Sequence, residues 1–120
     1  MTVPKAPANL GAAGRRLWRS VLKEFDLEEH ELALLRRACH VADRCDQLQA
    51  VIDSEGLFET NRLNERKMHP AVPELRQQEI LFAKLIVAMR VPLGEAGDDE
   101  ARPQLRALRG LNVQGAGVRP

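Results

Sequence analysis

At 120 residues the chain has room for one small domain, and its formal net charge of +1 excludes a uniformly basic nucleic-acid binder. No apolar run approaches the roughly 18 residues of a membrane span, and the N-terminus lacks the apolar core of a signal peptide, so a soluble intracellular protein is expected. The small total hides sorted charge. Residues 1–23 hold Lys5, Arg15, Arg16, Arg19 and Lys23 and no acid, whereas residues 26–55 are strongly acidic, from Asp26 and Glu28 to Asp53 and Glu55.

Residues 1–10 carry Pro4 and Pro7 among small residues and read as a flexible arm. A short helix is expected from Gly11. Leu17, Trp18, Val21, Leu22 and Phe25 fall on one side of it, and Arg16, Arg19 and Lys23 on the other, with Arg15 at the edge. In a chain with a single Trp and three Phe, Trp18 and Phe25 are the natural anchors to the next helix. The basic face is either a solvated surface or a phosphate-binding one.

From Asp26 to Gly56 no Pro or Gly interrupts the chain. Asp26 fits as N-cap with Glu29 as its capping-box acid, and Gly56 fits as the stop. The implied helix, Leu27 to Glu55, is about 43 Å long and forms the spine. Leu34, Ala38, Val41, Cys45, Leu48 and Ile52 alternate in steps of four and three, a seam that faces another helix. Leu35, Cys39 and Ala42 widen the seam, as suits a bundle. Cys39 and Cys45 are too far apart for a disulfide within one helix, and seam packing accounts for both.

Residues 57–68 are polar and turn-rich at Asn61 and Asn64, and fit a small two-stranded ribbon or an irregular loop. Arg62, Arg66 and Lys67 make this connector locally basic. After His69-Pro70 a second long helix is expected from Pro73 to Val91, stopping before Pro92 and Gly94. Leu75, Phe82, Leu85 and Met89 can face the spine, which leaves Ile80 and Val87 pointing away from it. A helix this apolar around its circumference needs a second cover, and self-association supplies it, with Ile80, Leu81, Lys84, Val87 and Ala88 at the contact. Residues 93–120 read as a flexible tail, with acids from Glu95 to Glu100 followed by Arg102, Arg106 and Arg109, which are candidates for docking on a partner. Gln104 to Gly110 has the makings of a turn or two of helix. The expected fold is therefore all-α: an arm (1–10), a helical domain (11–92) built of a short helix and a long antiparallel helical hairpin, and a tail (93–120).

Catalytic and metal motifs are missing. Gly11 and Gly14 lack the spacing of a phosphate loop, and Ser20 and Ser54 lack a nucleophile signature. His30, Cys39, His40 and Cys45 do not have zinc-site spacing, since Cys39 and His40 diverge by about 100° on a helix. His69 before Pro70 suits a helix start better than a catalytic base. A non-enzymatic protein without cofactor or metal is expected.

The ordered series Gly14-Arg15-Arg16-Leu17-Trp18, Phe25-Asp26-Leu27, Glu31-Leu32, Leu34-Leu35, Cys39, Asp43, Gly56 and His69-Pro70, followed by an apolar helix, resembles the small terminase subunits of tailed double-stranded DNA phages and prophages. The branch it resembles opens with a Gly-x-x-Leu-Trp helix, and the match spans about residues 4–93. Residues 57–68 depart from the pattern in having no Gly, and Arg90-Val91-Pro92-Leu93-Gly94 stands where a Leu-Gly-Leu type end belongs. The resemblance implies a ring-forming subunit, at work in the cytoplasm of an infected or lysogenic bacterium. It would bind viral DNA and regulate the large subunit that carries the ATPase and nuclease. As the compact basic face of an expected helix, Arg15, Arg16, Arg19 and Lys23 are the first candidates for DNA contact, with Arg62, Arg66 and Lys67 the second and the arginine tail the third. A helical transcription regulator and a purely protein-binding adaptor remain open beside it.

Overall fold

The computed structural model describes residues 3–90 and the backbone of residues 104–105. The protein is mostly helical: α1 (Ala12–Glu24), α2 (Glu29–Glu55) and α3 (Ala71–Met89), with four short strands, β1 (Phe25–Asp26), β2 (Phe58–Thr60), β3 (Arg66–Met68) and β4 (Gln104–Leu105). No helix among the described residues is long and apolar enough to cross a membrane.

The spine forms along the expected seam, with Ala38, Val41 and Ile52 buried and Leu34, Cys45 and Leu48 half-buried. Its start differs from the sequence reading. The cap is Glu28, not Asp26, and Glu28 and Glu31 make a reciprocal capping box in which the Glu31 carboxylate accepts the Glu28 amide at 2.6 Å. Phe25 and Asp26 are instead extended, paired antiparallel with Leu105 and Gln104. Gln104 and Leu105 are thus strand, where a helical turn was the expectation. The rest of the expected tail lies outside the described residues. At the other end the chain leaves α2 through Gly56, whose φ of 89° favours glycine.

Two apolar clusters line α2. Near its beginning Leu35, Ala38 and Cys39 pack with Trp18, Val21, Leu22 and Phe25 of the α1 region and with Met89 at the end of α3. Near its end Ile52 packs with Ala71 and Leu75 at the start of α3. Phe82 and Leu85 join the first cluster, so the spine-facing side of α3 is the expected one. α3 starts two residues earlier than the sequence suggests. Pro73 is tolerated as its third residue because the first turn of a helix has no intrahelical acceptors for its amides.

The connector is a ribbon. β2 and β3 pair antiparallel with Phe58 opposite Met68, Glu59 opposite Lys67 and Thr60 opposite Arg66. Asn61 organises the turn: its side-chain oxygen accepts the amides of Leu63 and Glu65, both at 2.9 Å, and Asn64 takes the left-handed φ of 66° that asparagine tolerates. Every residue of the two strands is exposed. His69 ties the ribbon's base to the helices. Its Nδ1 accepts the Ala71 amide at 3.0 Å, so the neutral ring carries its proton on Nε2 and donates to Glu55 Oε1 at 2.8 Å. This is the helix-start role expected of His69.

Candidate nucleic-acid interface

α1 has no cap of its own, because its N-cap residue is Gly11. The cap comes from α2. Asp43 accepts the Gly11 amide at 2.6 Å through Oδ2 and the Gly14 amide at 2.8 Å through Oδ1, so one carboxylate satisfies two otherwise unpaired donors at the positive end of the helix. Gly14 is buried at this crossing. A Cβ there would lie 2.6 Å from Asp43 Oδ2 and 2.8 Å from the Cys39 carbonyl oxygen, so a glycine is what lets the two helices approach.

The opposite end of the anchor is apolar. Trp18 and Leu22 are almost wholly buried, and the Trp18 indole donates to the Pro4 carbonyl at 3.1 Å. That bond, the packing of Ala6 on the core and the burial of Leu10 lay residues 4–10 along α1, where composition alone suggests a flexible arm. A buried indole N–H needs an acceptor, and the Pro4 carbonyl provides it.

With α1 so fixed, Arg15, Arg16, Arg19 and Lys23 are all exposed. At 100° per residue they fall within an arc of about 100°, on the side away from Leu17 and Val21 and bordered by Trp18. Arg15, Arg19 and Lys23 border an open cleft of about 500 Å³ whose apolar wall includes Pro4 and Ala6, and the Arg15 guanidinium also donates to the Leu10 carbonyl. Within α1 the sole acid is Glu24, its last residue.

The connector arranges its cations differently. Side chains alternate between the faces of a strand, so Arg66 shares a face with Phe58, Thr60 and Met68, while Lys67 lies on the other face opposite Glu59. Arg66 is stacked 4.4 Å from the centroid of the Phe58 ring, and Arg62 sits in the turn. Arg62, Arg66 and Lys67 are exposed but do not form one face.

On α3 the five residues expected at a subunit contact are exposed: Ile80 at 46 %, Leu81 at 40 % and Val87 at 73 %, with Lys84 and Ala88 beside them. Ala83, Lys84, Val87 and Ala88 line an open groove of about 350 Å³. Arg102, Arg106 and Arg109 lie outside the described residues.

Both cysteines are free. Burial, reinforced by the nearby Asp43 carboxylate, pushes the Cys39 thiol up to about 12. Burial, then Glu79 and Asp46, also raises Cys45. Both shifts favour the protonated, weakly nucleophilic thiol, as befits packing residues.

Two features escape a reading of the sequence. Asp43 follows Leu35 and Cys39 at steps of four, so an acid occupies a position where the α1-facing stripe would place an apolar residue. That interruption is the signal for its capping role. Leu10 is hidden by its Pro-rich neighbours. Comparison with protein-family models, curated proteins and solved structures finds no match to the chain.

Proposed function

We propose that the chain is a non-catalytic DNA-recognition subunit of a viral DNA-packaging terminase. In this reading α2 and α3 form an antiparallel helical hairpin, the exposed side of α3 joins copies into a ring, and the α1 face takes up duplex DNA. The tail beyond residue 93, with Arg102, Arg106 and Arg109, engages the large subunit, all in the cytoplasm of the bacterial host.

The observation that carries the reading is the α1 face: Arg15, Arg16, Arg19 and Lys23 gathered on one exposed side of a helix that Asp43 and Trp18 hold in place. Preset cations of this kind suit phosphates spaced along a duplex, and the ordered series that resembles small terminase subunits points to viral DNA. The acidic start of α2, with Glu28, Glu29 and Glu31 exposed or half-exposed, disfavours a regulator that would insert that helix into a groove.

The test is the solution mass of the protein with and without duplex DNA, followed by a salt titration of affinity. Each phosphate contact contributes about 0.9 to the slope of log affinity against log salt, so changing Arg16, Arg19 and Lys23 together to Glu should abolish most binding and lower the slope by about 2.7. Helical content and oligomer mass should not change. The equivalent change of Arg62, Arg66 and Lys67 should have the smaller effect. Unaltered affinity and slope in the α1 variant would show an ordinary solvated face.

A further inference from the structure

Two apolar surfaces of this chain have no cover among the described residues. One is the ribbon, with Leu57 (54 % exposed), Phe58 (44 %), Met68 (49 %) and, in the turn, Leu63 (77 %). The other is the α3 stripe of Ile80, Leu81 and Val87. An isolated two-stranded ribbon is marginally stable in water, and large apolar side chains along it need a docking surface. We propose that the ribbon of one copy docks on the α3 stripe of the next, so that assembly runs head-to-tail. The inference rests on the self-association reading above and specifies its contact.

Symmetric alternatives place like charges face to face. In a two-fold contact the residue at the centre meets its own counterpart. Lys84 lies in the middle of the Ile80–Val87 stripe, so pairing stripe with stripe opposes two ammonium groups. Pairing the ribbons edge to edge about the middle residue of either strand opposes Glu59 to Glu59 or Lys67 to Lys67, since these are the central residues of β2 and β3. A ribbon on a stripe avoids these three self-pairings, and the like-charge approach it does make, Arg66 toward Lys84, involves a guanidinium already stacked over the Phe58 ring.

Area and reach agree with this pairing. Phe58 and Met68 on one ribbon face, Leu63 in its turn and the three stripe residues offer apolar surface on the order of 500 Å², more than half of the roughly 900 Å² of apolar area in a standard interface of about 1,600 Å². Either patch against a polar surface supplies about half of that. From Leu57 to Asn61 the ribbon's first strand runs about 13 Å before the turn, while Ile80 and Val87 are about 10 Å apart along their helix, so one ribbon covers one stripe. Contacts between two different patches generate rings or open filaments, in keeping with a species larger than a dimer.

The experiment uses two variants of the full chain, a ribbon variant (Phe58→Asp with Leu63→Asp) and a stripe variant (Ile80→Asp with Val87→Asp). All four positions are exposed, so helical content by circular dichroism should match wild type, and serine at the same positions replaces aspartate where it does not. Light scattering should give an assembly above dimer for wild type and a monomer for each variant alone. Their equimolar mixture should give a discrete dimer, because it contains one intact ribbon and one intact stripe that cannot propagate. A ribbon variant that assembles like wild type, or a mixture that stays monomeric or regains the wild-type mass, overturns the head-to-tail contact and leaves self-association standing. A monomeric wild type overturns the self-association reading itself, and this contact with it.

Discussion

Replacing Asp43 by Ala tests whether α1 is held by a carboxylate from another helix. The change removes the acceptor of both the Gly11 and the Gly14 amides, bonded at 2.6 and 2.8 Å. Loss of a helix cap costs about 1 kcal/mol, and the Gly14 amide sits in a part-buried site where an unpaired donor costs about 1–3 kcal/mol. Removal of a negative charge from the helix N-terminus adds up to about 1 kcal/mol. These contributions overlap, so the expected loss is about 3 kcal/mol, a large share of the roughly 5–15 kcal/mol that stabilises a domain. Asp43→Asn keeps one acceptor and should lose about half as much. The assay is urea unfolding followed by far-ultraviolet circular dichroism at one fixed protomer concentration, because self-association links stability to concentration. The midpoint should fall with the slope unchanged. Gly14→Ala should also destabilise, and in the double variant the two losses should add to less than their sum, since Asp43 is one of the three groups the new Cβ meets. A loss below about 0.5 kcal/mol for Asp43→Ala would refute the clamp.

Cys39 gives the stability a high-pH limit. Its thiol is held protonated up to about 12 in the folded state, against an ordinary value of 9.0, so the unfolded chain gives up that proton first. The contribution is complete below pH 9, and between there and about 12 the stability of wild type relative to Cys39→Ala should fall by about 1.4 kcal/mol per pH unit; a difference independent of pH would refute it. Removing the acceptor for the Ala71 amide and the partner of Glu55, His69→Ala should cost about 1–2 kcal/mol and speed hydrogen exchange at Ala71, and an unchanged exchange rate there would contradict the assigned bond.

What was legible in the sequence was periodic. The α2 seam and the spine-facing side of α3 are read from spacing because burial on a helix repeats every turn, and the same spacing leaves Ile80 and Val87 on the outside. The Glu28 cap was not legible, because Asp26 with Glu29 and Glu28 with Glu31 both satisfy the local pattern. In the structure Phe25 and Asp26 are extended and paired with Leu105 and Gln104, a partner far along the chain that no local pattern reveals. The ribbon was half legible: Asn61 and Asn64 signal a turn, but the strand pairing is made by backbone groups of two segments, among them the His69 amide that donates to the Leu57 carbonyl at 2.7 Å across the base. Of the candidate site, the basic periodicity of α1 could be read directly, while its fixing by Asp43 and Pro4 could not, since both contacts join separate segments.

That fixing bears on how the cations of α1 would act. A helix of 13 residues is marginal on its own, so the arc that gathers Arg15, Arg16, Arg19 and Lys23 depends on the anchors that hold the helix to α2. A loosened α1 would keep every cation but would have to be ordered on the DNA, with the entropy of that ordering subtracted from affinity. Asp43→Ala should therefore weaken duplex binding with the salt slope unaltered, whereas Arg19→Glu should weaken it with a shallower slope. The two variants separate preorganisation from contact. If Asp43→Ala lowers stability as expected yet leaves affinity untouched, the cations act as independent charges and the rigid α1 face is not what DNA reads.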